Sequence, residues 1–290
     1  MLQGRVRMTK KDFFEKLHMK SVAKEKSMRH DDSFFKGLKN YNIYFQKWSP
    51  GGKPRAVILI AHGYAEHSGR YMNVVNHFIP QDYQVYALDH RGHGKSDGKL
   101  DEISDFSMFV GDLKRFFNII REERPDEKIF LIGHSMGSVI SLLYALEYQQ
   151  ELDGLAISGG GLAKQGDPPL PQRPADQPLD SSFLSRDPAV IKAYENDPLV
   201  YRGPIPRTIE SGMFKGLDKL SEEAKNIKLP VIIMAGDGCT DGARSQILYD
   251  MIGSEDKTLK RYPELMHEIF NEPEHPEVMA DLELWIEAHL

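Results

Sequence analysis

The chain has 290 residues, 40% hydrophobic and 28% charged, enough to bury one large core, which excludes short disulfide scaffolds and disordered tails. Residues 1–30 carry nine Lys and Arg against three Asp and Glu, so the other 260 hold 28 basic and 40 acidic residues, a formal −12; an acidic body without basic clusters argues against nucleic acid, whose affinity rests on neutralising phosphates. One cysteine, Cys239, cannot close an intrachain disulfide and has no second cysteine for a thiolate metal site, in keeping with a reducing compartment.

The basic start MLQGRVRMTKKDFFEK has no apolar stretch behind it and no small-residue cleavage site, so it does not read as a secretory signal, and the expected location is cytoplasmic. Thr9 and Asp12 stand at capping-box spacing and Phe13, Phe14 and Leu17 at helical spacing, which predicts a basic amphipathic helix over 10–27. Two readings of residues 1–37 follow: an N-terminal extension that docks on the body or frays, or a segment in weak peripheral contact with anionic lipid. The longest apolar runs, 56–61 and 231–235, are strand length and far short of the roughly 20 residues that span a bilayer.

From residue 41 onward, strand-like and helical patterns alternate. Strands are predicted at 43–48 and 57–61, a helix at 71–79, a strand at 85–88 and a helix at 106–123. A strand at 129–133, a helix at 136–148 and a strand at 155–158 follow, and then 231–235 (strand), 244–252 (helix), 258–261 (strand) and 276–288 (helix). Continuously apolar short strands separated by helices indicate an α/β fold around a mostly parallel, doubly wound sheet. The rhythm breaks at residues 161–206, which hold nine of the 17 prolines and a weak helical pattern at 189–194. A long irregular insertion in a compact domain is usually functional. Residues 160–225 are therefore read as a cap over the strand ends, on a core made of 38–159 and 226–290.

The sharpest local signal is Gly133-His134-Ser135-Met136-Gly137, directly after the strand at 129–133 and directly before the helix at 136–148. A serine on such a turn has strained backbone angles, and the flanking glycines avoid collisions with neighbouring backbone. Its hydroxyl is exposed at a helix N-terminus, where amides favour developing negative charge. A serine needs a base and an orienting carboxylate, in the chain order Ser, acid, His for this arrangement. His267 follows the strand at 258–261, and the loop after Gly236 supplies Asp237 and Asp241. His62-Gly63-Tyr64, after the strand at 57–61, stands where one oxyanion amide is expected, and Met136 is expected to supply the other.

The segments HGYAEHSGRY (62–71), ALDHRGHGKSDG (87–98), GHSMGS (133–138), SRDPAVIKAYENDPLV (185–200) and GSEDKTLKRYPELMHEIFNEPE (253–274) resemble, in order, the monoacylglycerol lipases and related lysophospholipases of the α/β-hydrolase superfamily. The resemblance runs from about residue 38 to 290. It implies Ser135 as nucleophile, His267 as base, Tyr64 and Met136 as oxyanion donors, a small acyl-ester lipid as substrate, and no cofactor or metal. Relatives usually have a Gly-x-x-Asp turn where this chain has Ala235-Gly236-Asp237. An ungapped reading back from Asp256-Lys257-Thr258 places Asp237 on the family acid, so Asp237 is the expected third member and Asp241 reads as a first-turn helix carboxylate. The loop 89–96 (DHRGHGKS) reads as a hydrogen-bonded turn bracing the sheet rather than a ligand site.

The runner-up activities are lysophospholipase and general short- or medium-chain carboxylesterase. A rival of another class is a catalytically impaired hydrolase-fold protein that binds without turnover.

Overall fold

The computed structural model describes residues 28–103, 105–162 and 179–290, and the helix predicted over 10–27 lies outside them. Among the described residues eight strands form one sheet: β1 (Arg29–Lys36), β2 (Asn42–Ser49), β3 (Val57–Ala61), β4 (Gln84–Leu88), β5 (Ile129–His134), β6 (Gly154–Ser158), β7 (Val231–Gly236) and β8 (Lys257–Tyr262). Their spatial order is β1-β2-β4-β3-β5-β6-β7-β8. β2 runs antiparallel to both β1 and β4, and every pair from β4 to β8 is parallel. The sheet is thus the expected doubly wound one, with an antiparallel edge added at β1 and β2.

Every residue of β3 to β7 is buried, because helices cover both faces of the parallel part. Alternate residues of β3 supply two separate cores. Val57, Leu59 and Ala61 join Phe109, Leu113 and Phe116 of α2 (Ser107–Glu123) and Ile140 and Leu143 of α3 (Met136–Tyr148). Ile58 and Ile60 face the other way, toward Val74, Val75 and Phe78 of α1 (Met72–Phe78). Two elements were invisible as patterns. β1 is exposed at every residue but Phe35, as an edge strand can be, and lies inside the stretch read as an extension. Its single buried ring stacks on Phe116 at 5.2 Å.

Among its described residues the insertion carries two helices, α4 (Pro188–Asn196), capped by Asp187, and α5 (Arg207–Glu223). α5 buries Ile209, Gly212, Gly216 and Leu220, a helical stripe in which two of four positions are glycine, so hydrophobic periodicity does not reveal it. The glycines permit close packing: a Cβ at Gly216 would meet Val139 and Leu143 at 3.1 and 3.2 Å, and one at Gly212 would meet Phe106 at 2.8 Å. α4 has its own small core of Leu184, Tyr194 and Val200. It is tied to the body by Tyr201 N–H donating to Ala65 O (2.8 Å), by His67 Nε2 at 2.9 Å from Asp197, and by Arg186 on Glu272 and Glu274. After the insertion come α6 (Asp241–Met251) and α7 (His275–Ala288).

The loop 89–96 is a brace. Asp89 accepts from Ser68 N–H, Ser68 Oγ and Lys95 N–H, while Arg91 makes a two-pronged, fully buried ion pair with Asp112 at 2.6 and 2.8 Å. Among the described residues no helix is long and apolar enough to cross a membrane.

Candidate active site

Strand order reverses direction around β3, which has β4 on one side and β5 on the other, and in open α/β sheets ligands collect beyond the carboxyl ends of strands at such a point. The loop after β5 holds Ser135 at φ 53°, ψ −116°, a conformation a non-glycine residue adopts only when its surroundings enforce it. The enforcement is visible on both sides. Ser135 N–H donates to Ser158 O at 2.9 Å. A Cβ at Gly137 would run into Ala61 O, and one at Gly133 would meet Gly137 O at 2.5 Å. The two glycines therefore let α3 start directly against the end of β3.

His267 lies beyond β8, with its N–H donating to Phe183 O of the insertion at 3.2 Å. Its Nδ1 stands 2.6 Å from Asp241 Oδ2. The expected partner Asp237 is elsewhere: its Oδ1 accepts from Arg261 Nε at 2.9 Å. The cause is local. Asp237 N–H continues the ladder onto Tyr262 O, which keeps residue 237 in register with β8 and its carboxylate beside Arg261 on that edge strand. Three further residues, Gly238-Cys239-Thr240, bring the chain round so that Asp241 begins α6 beneath the imidazole. Gly238-Cys239-Thr240-Asp241 itself has the Gly-x-x-Asp spacing, the signal that the ungapped reading passed over. The first-turn reading of Asp241 also holds, and the helix N-terminus favours its charge.

The electrostatics couple the two side chains. Burial opposes charging of His267, but the hydrogen bond and charge of Asp241, with Glu268 and Glu66 beyond, outweigh it and raise its pKa above the usual imidazole value. Burial likewise pushes Asp241 up, yet His267 and the Cys239 thiol, 3.0 Å from Oδ2, hold it below the usual carboxylate range. Burial and the Asp241 charge push the Cys239 thiol up to about 12. Cys239, Asp241 and His267 are the one grouping of three metal-ligating side chains among the described residues, and their polar atoms are engaged with one another. Gly159 (φ 57°) passes over this pair, and a Cβ there would stand 3.1 Å from His267 Nδ1.

A cavity of about 160 Å³ is lined by Ser135, Met136, Gly63, Tyr64 and His267 together. The apolar part of its remaining lining comes from the insertion: Leu179, Phe183, Leu184, Ile205, Ile209 and Met213. Sequence reasoning missed the polar end. Glu66 and Glu268 line the cavity, and Arg70 sits between them, making two bonds to Glu268 (2.5 and 2.8 Å) and one to Glu66 (3.2 Å), with Tyr194 of α4 stacked on its guanidinium at 4.7 Å. Burial raises the Glu66 pKa against the pull of Arg70, whereas Arg70 holds Glu268 below the usual range despite its burial. Charged residues beside His-Gly and beside His267 were the available signal.

A strained serine on a strand-to-helix turn, a hydrogen-bonded His and Asp, and a capped cavity at the switch point define a serine hydrolase built on the α/β-hydrolase fold. The family model described as "Serine aminopeptidase, S33" matches residues 52–274, and the chain belongs to that family. A monoacylglycerol lipase of Mycolicibacterium smegmatis is 36% identical over 279 residues, covering 91% of this chain and 99% of the relative. The monoglyceride lipase of Mus musculus is 32% identical over 262 residues, covering 84% and 86%. Among solved structures, a Paleococcus ferrophilus monoacylglycerol lipase superposes with a TM-score of 0.72 at 26% identity, covering 91% of this chain and 100% of its own. A soluble variant of the Saccharomyces cerevisiae monoglyceride lipase, bound to a substrate analogue, shares the fold with a TM-score of 0.76 at 24% identity, covering 89% and 94%.

Proposed function

We propose that the protein is a monoacylglycerol lipase-like carboxylic ester hydrolase that releases a fatty acid and glycerol. The observation that carries the mechanism is the 2.6 Å contact of His267 Nδ1 with Asp241, in the wall of the cavity that Ser135 also lines. His267 takes the Ser135 proton, Ser135 Oγ attacks the ester carbonyl, and the amides of Tyr64 and Met136 hold the oxyanion. The Met136 amide is first in α3 and has no intrahelical carbonyl to bond. His267 then protonates the departing glycerol oxygen. Water, deprotonated by the same imidazole, discharges the acyl-enzyme, and Asp241 holds the ring in the Nδ1–H tautomer throughout.

The apolar cap residues suit an acyl chain, and the polar end suits a polyol. Glu66 and Glu268 line the cavity without a Lys or Arg among its described lining residues, which favours a neutral head group over the phosphodiester of a lysophospholipid. The test is hydrolysis of monoacylglycerols, p-nitrophenyl esters and lysophosphatidylcholine by wild type, Ser135→Ala, Asp241→Asn and Asp237→Asn. Loss with the first two variants and retention with Asp237→Asn is the expected result. A wild type that hydrolyses no ester would favour a binding protein instead.

A further inference from the structure

We propose that His62 is a positioning residue of the oxyanion hole, holding and polarising the Gly63–Tyr64 peptide. The proposal rests on the ester-hydrolase reading above, in which the Tyr64 amide is an oxyanion donor. A peptide group is planar, so the Gly63 carbonyl and the Tyr64 N–H belong to one rigid unit, and whatever grips the oxygen aims the N–H. The His62 ring is completely buried. Its Nδ1 stands 2.7 Å from Gly63 O, and its Nε2 stands 2.8 Å from the backbone nitrogen of His90. The carbonyl can only accept and the backbone N–H can only donate, so a single neutral tautomer, protonated on Nδ1, satisfies both.

The surroundings keep it in that state. Burial, reinforced by the His90 and His93 rings at 4.4 and 5.3 Å, pushes the His62 pKa well below the usual imidazole value. The loop is gripped from its other end as well, where Gly63 N–H donates to Glu66 Oε1 at 2.6 Å and Tyr71 Oη donates to the same oxygen at 2.7 Å. A Cβ at Gly63 would lie 3.2 Å from the Ser135 Cβ, so this loop rests directly against the serine. Two consequences follow. The N–H is fixed before substrate arrives, and a hydrogen bond received by its own carbonyl makes it a stronger donor. Both ring nitrogens of His62 are engaged, so the side chain acts through the peptide rather than on substrate.

The experiment compares His62→Leu, which has no donor, with His62→Asn, whose amide N–H falls near the place of the imidazole Nδ1–H. For each, kcat and KM on a monoacylglycerol are measured, with inhibition by an acyl trifluoromethyl ketone, which adds Ser135 to leave an oxyanion in the hole, and by a 1-O-alkylglycerol, which has no carbonyl. For His62→Leu we expect kcat and trifluoromethyl ketone affinity to fall together by about tenfold or more, with KM and alkylglycerol inhibition unchanged, and most of the loss to be recovered in His62→Asn. Should His62→Leu not fold, His62→Gln, whose longer amide misses Gly63 O, replaces it. Retention of kcat and ketone affinity within twofold overturns the proposal, as does an equal loss in all four quantities that His62→Asn leaves unrecovered. Failure of the parent reading is distinct: the wild type would hydrolyse no ester, or Ser135→Ala would keep the activity.

Discussion

At the scale of single residues, the contrast between Asp237 and Asp241 shows how little separates a carboxylate that meets the histidine from one that does not. Both follow β7, both are first-rank candidates by composition, and register with β8 sends one to Arg261 and the other to His267. Asp241→Asn should lower kcat by roughly 10⁴, because the amide stabilises the wrong imidazole tautomer and cannot support its cation, whereas Asp237→Asn should stay within a few-fold. The pH profile carries a second expectation. In the proposed mechanism His267 acts as a base only when neutral, and Asp241 raises its pKa, so kcat/KM should fall as pH drops through a value above the usual imidazole range. In residual Asp241→Asn activity that limb should move to lower pH; an unmoved limb would mean that another group controls it. Glu268→Leu leaves Arg70 buried with Glu66 as its remaining carboxylate, and breaking a buried pair in this way costs about 3–5 kcal/mol, read as a lowered denaturation midpoint.

At the scale of elements, legibility followed the hydrophobic signal. β3, β5 and α3 announce themselves because both faces of the central strands and most of α3 are buried. β1 and α5 do not, for opposite reasons: an edge strand needs few apolar residues, and a helix that packs through glycine brings backbone rather than side chains to its partner. This matters for any truncation. Removing residues 1–27 leaves β1 intact, while removing 1–37 takes away the whole β1 ladder and the Phe35 stack on Phe116 and should lower Tm by several degrees more than the shorter truncation does. Liposome binding by the full chain and its loss on removal of 1–27 would support lipid contact by that segment; equal binding by both would remove the idea.

At the scale of the whole molecule, the doubly wound sheet and the residues between β6 and β7 meet at the cavity. The sheet brings the loops after β3, β5, β7 and β8 to one edge, and the insertion roofs them with apolar side chains. The body is acidic overall, and the cavity lining presents two carboxylates that are both bonded to Arg70. Hydrolysis of a monoacylglycerol should therefore exceed that of the lysophosphatidate with the same acyl chain by at least about tenfold in kcat/KM, a penalty of about 1.4 kcal/mol on the charged head group. Equal rates at low ionic strength would show that the cavity does not discriminate by charge.

The amino-acid sequence alone determined the α/β class, the order of the central strands and helices, the serine turn and the histidine, because each of these is written in short-range patterns of burial, glycine and turn chemistry. Tertiary structure decided which aspartate meets that histidine, that a glycine-faced helix closes the insertion onto α3, and that Glu66, Arg70 and Glu268 converge from positions nearly 200 residues apart. Such contacts depend on register between neighbouring strands and on the packing of loops against one another, and one residue of slip in either redirects a side chain to a different partner.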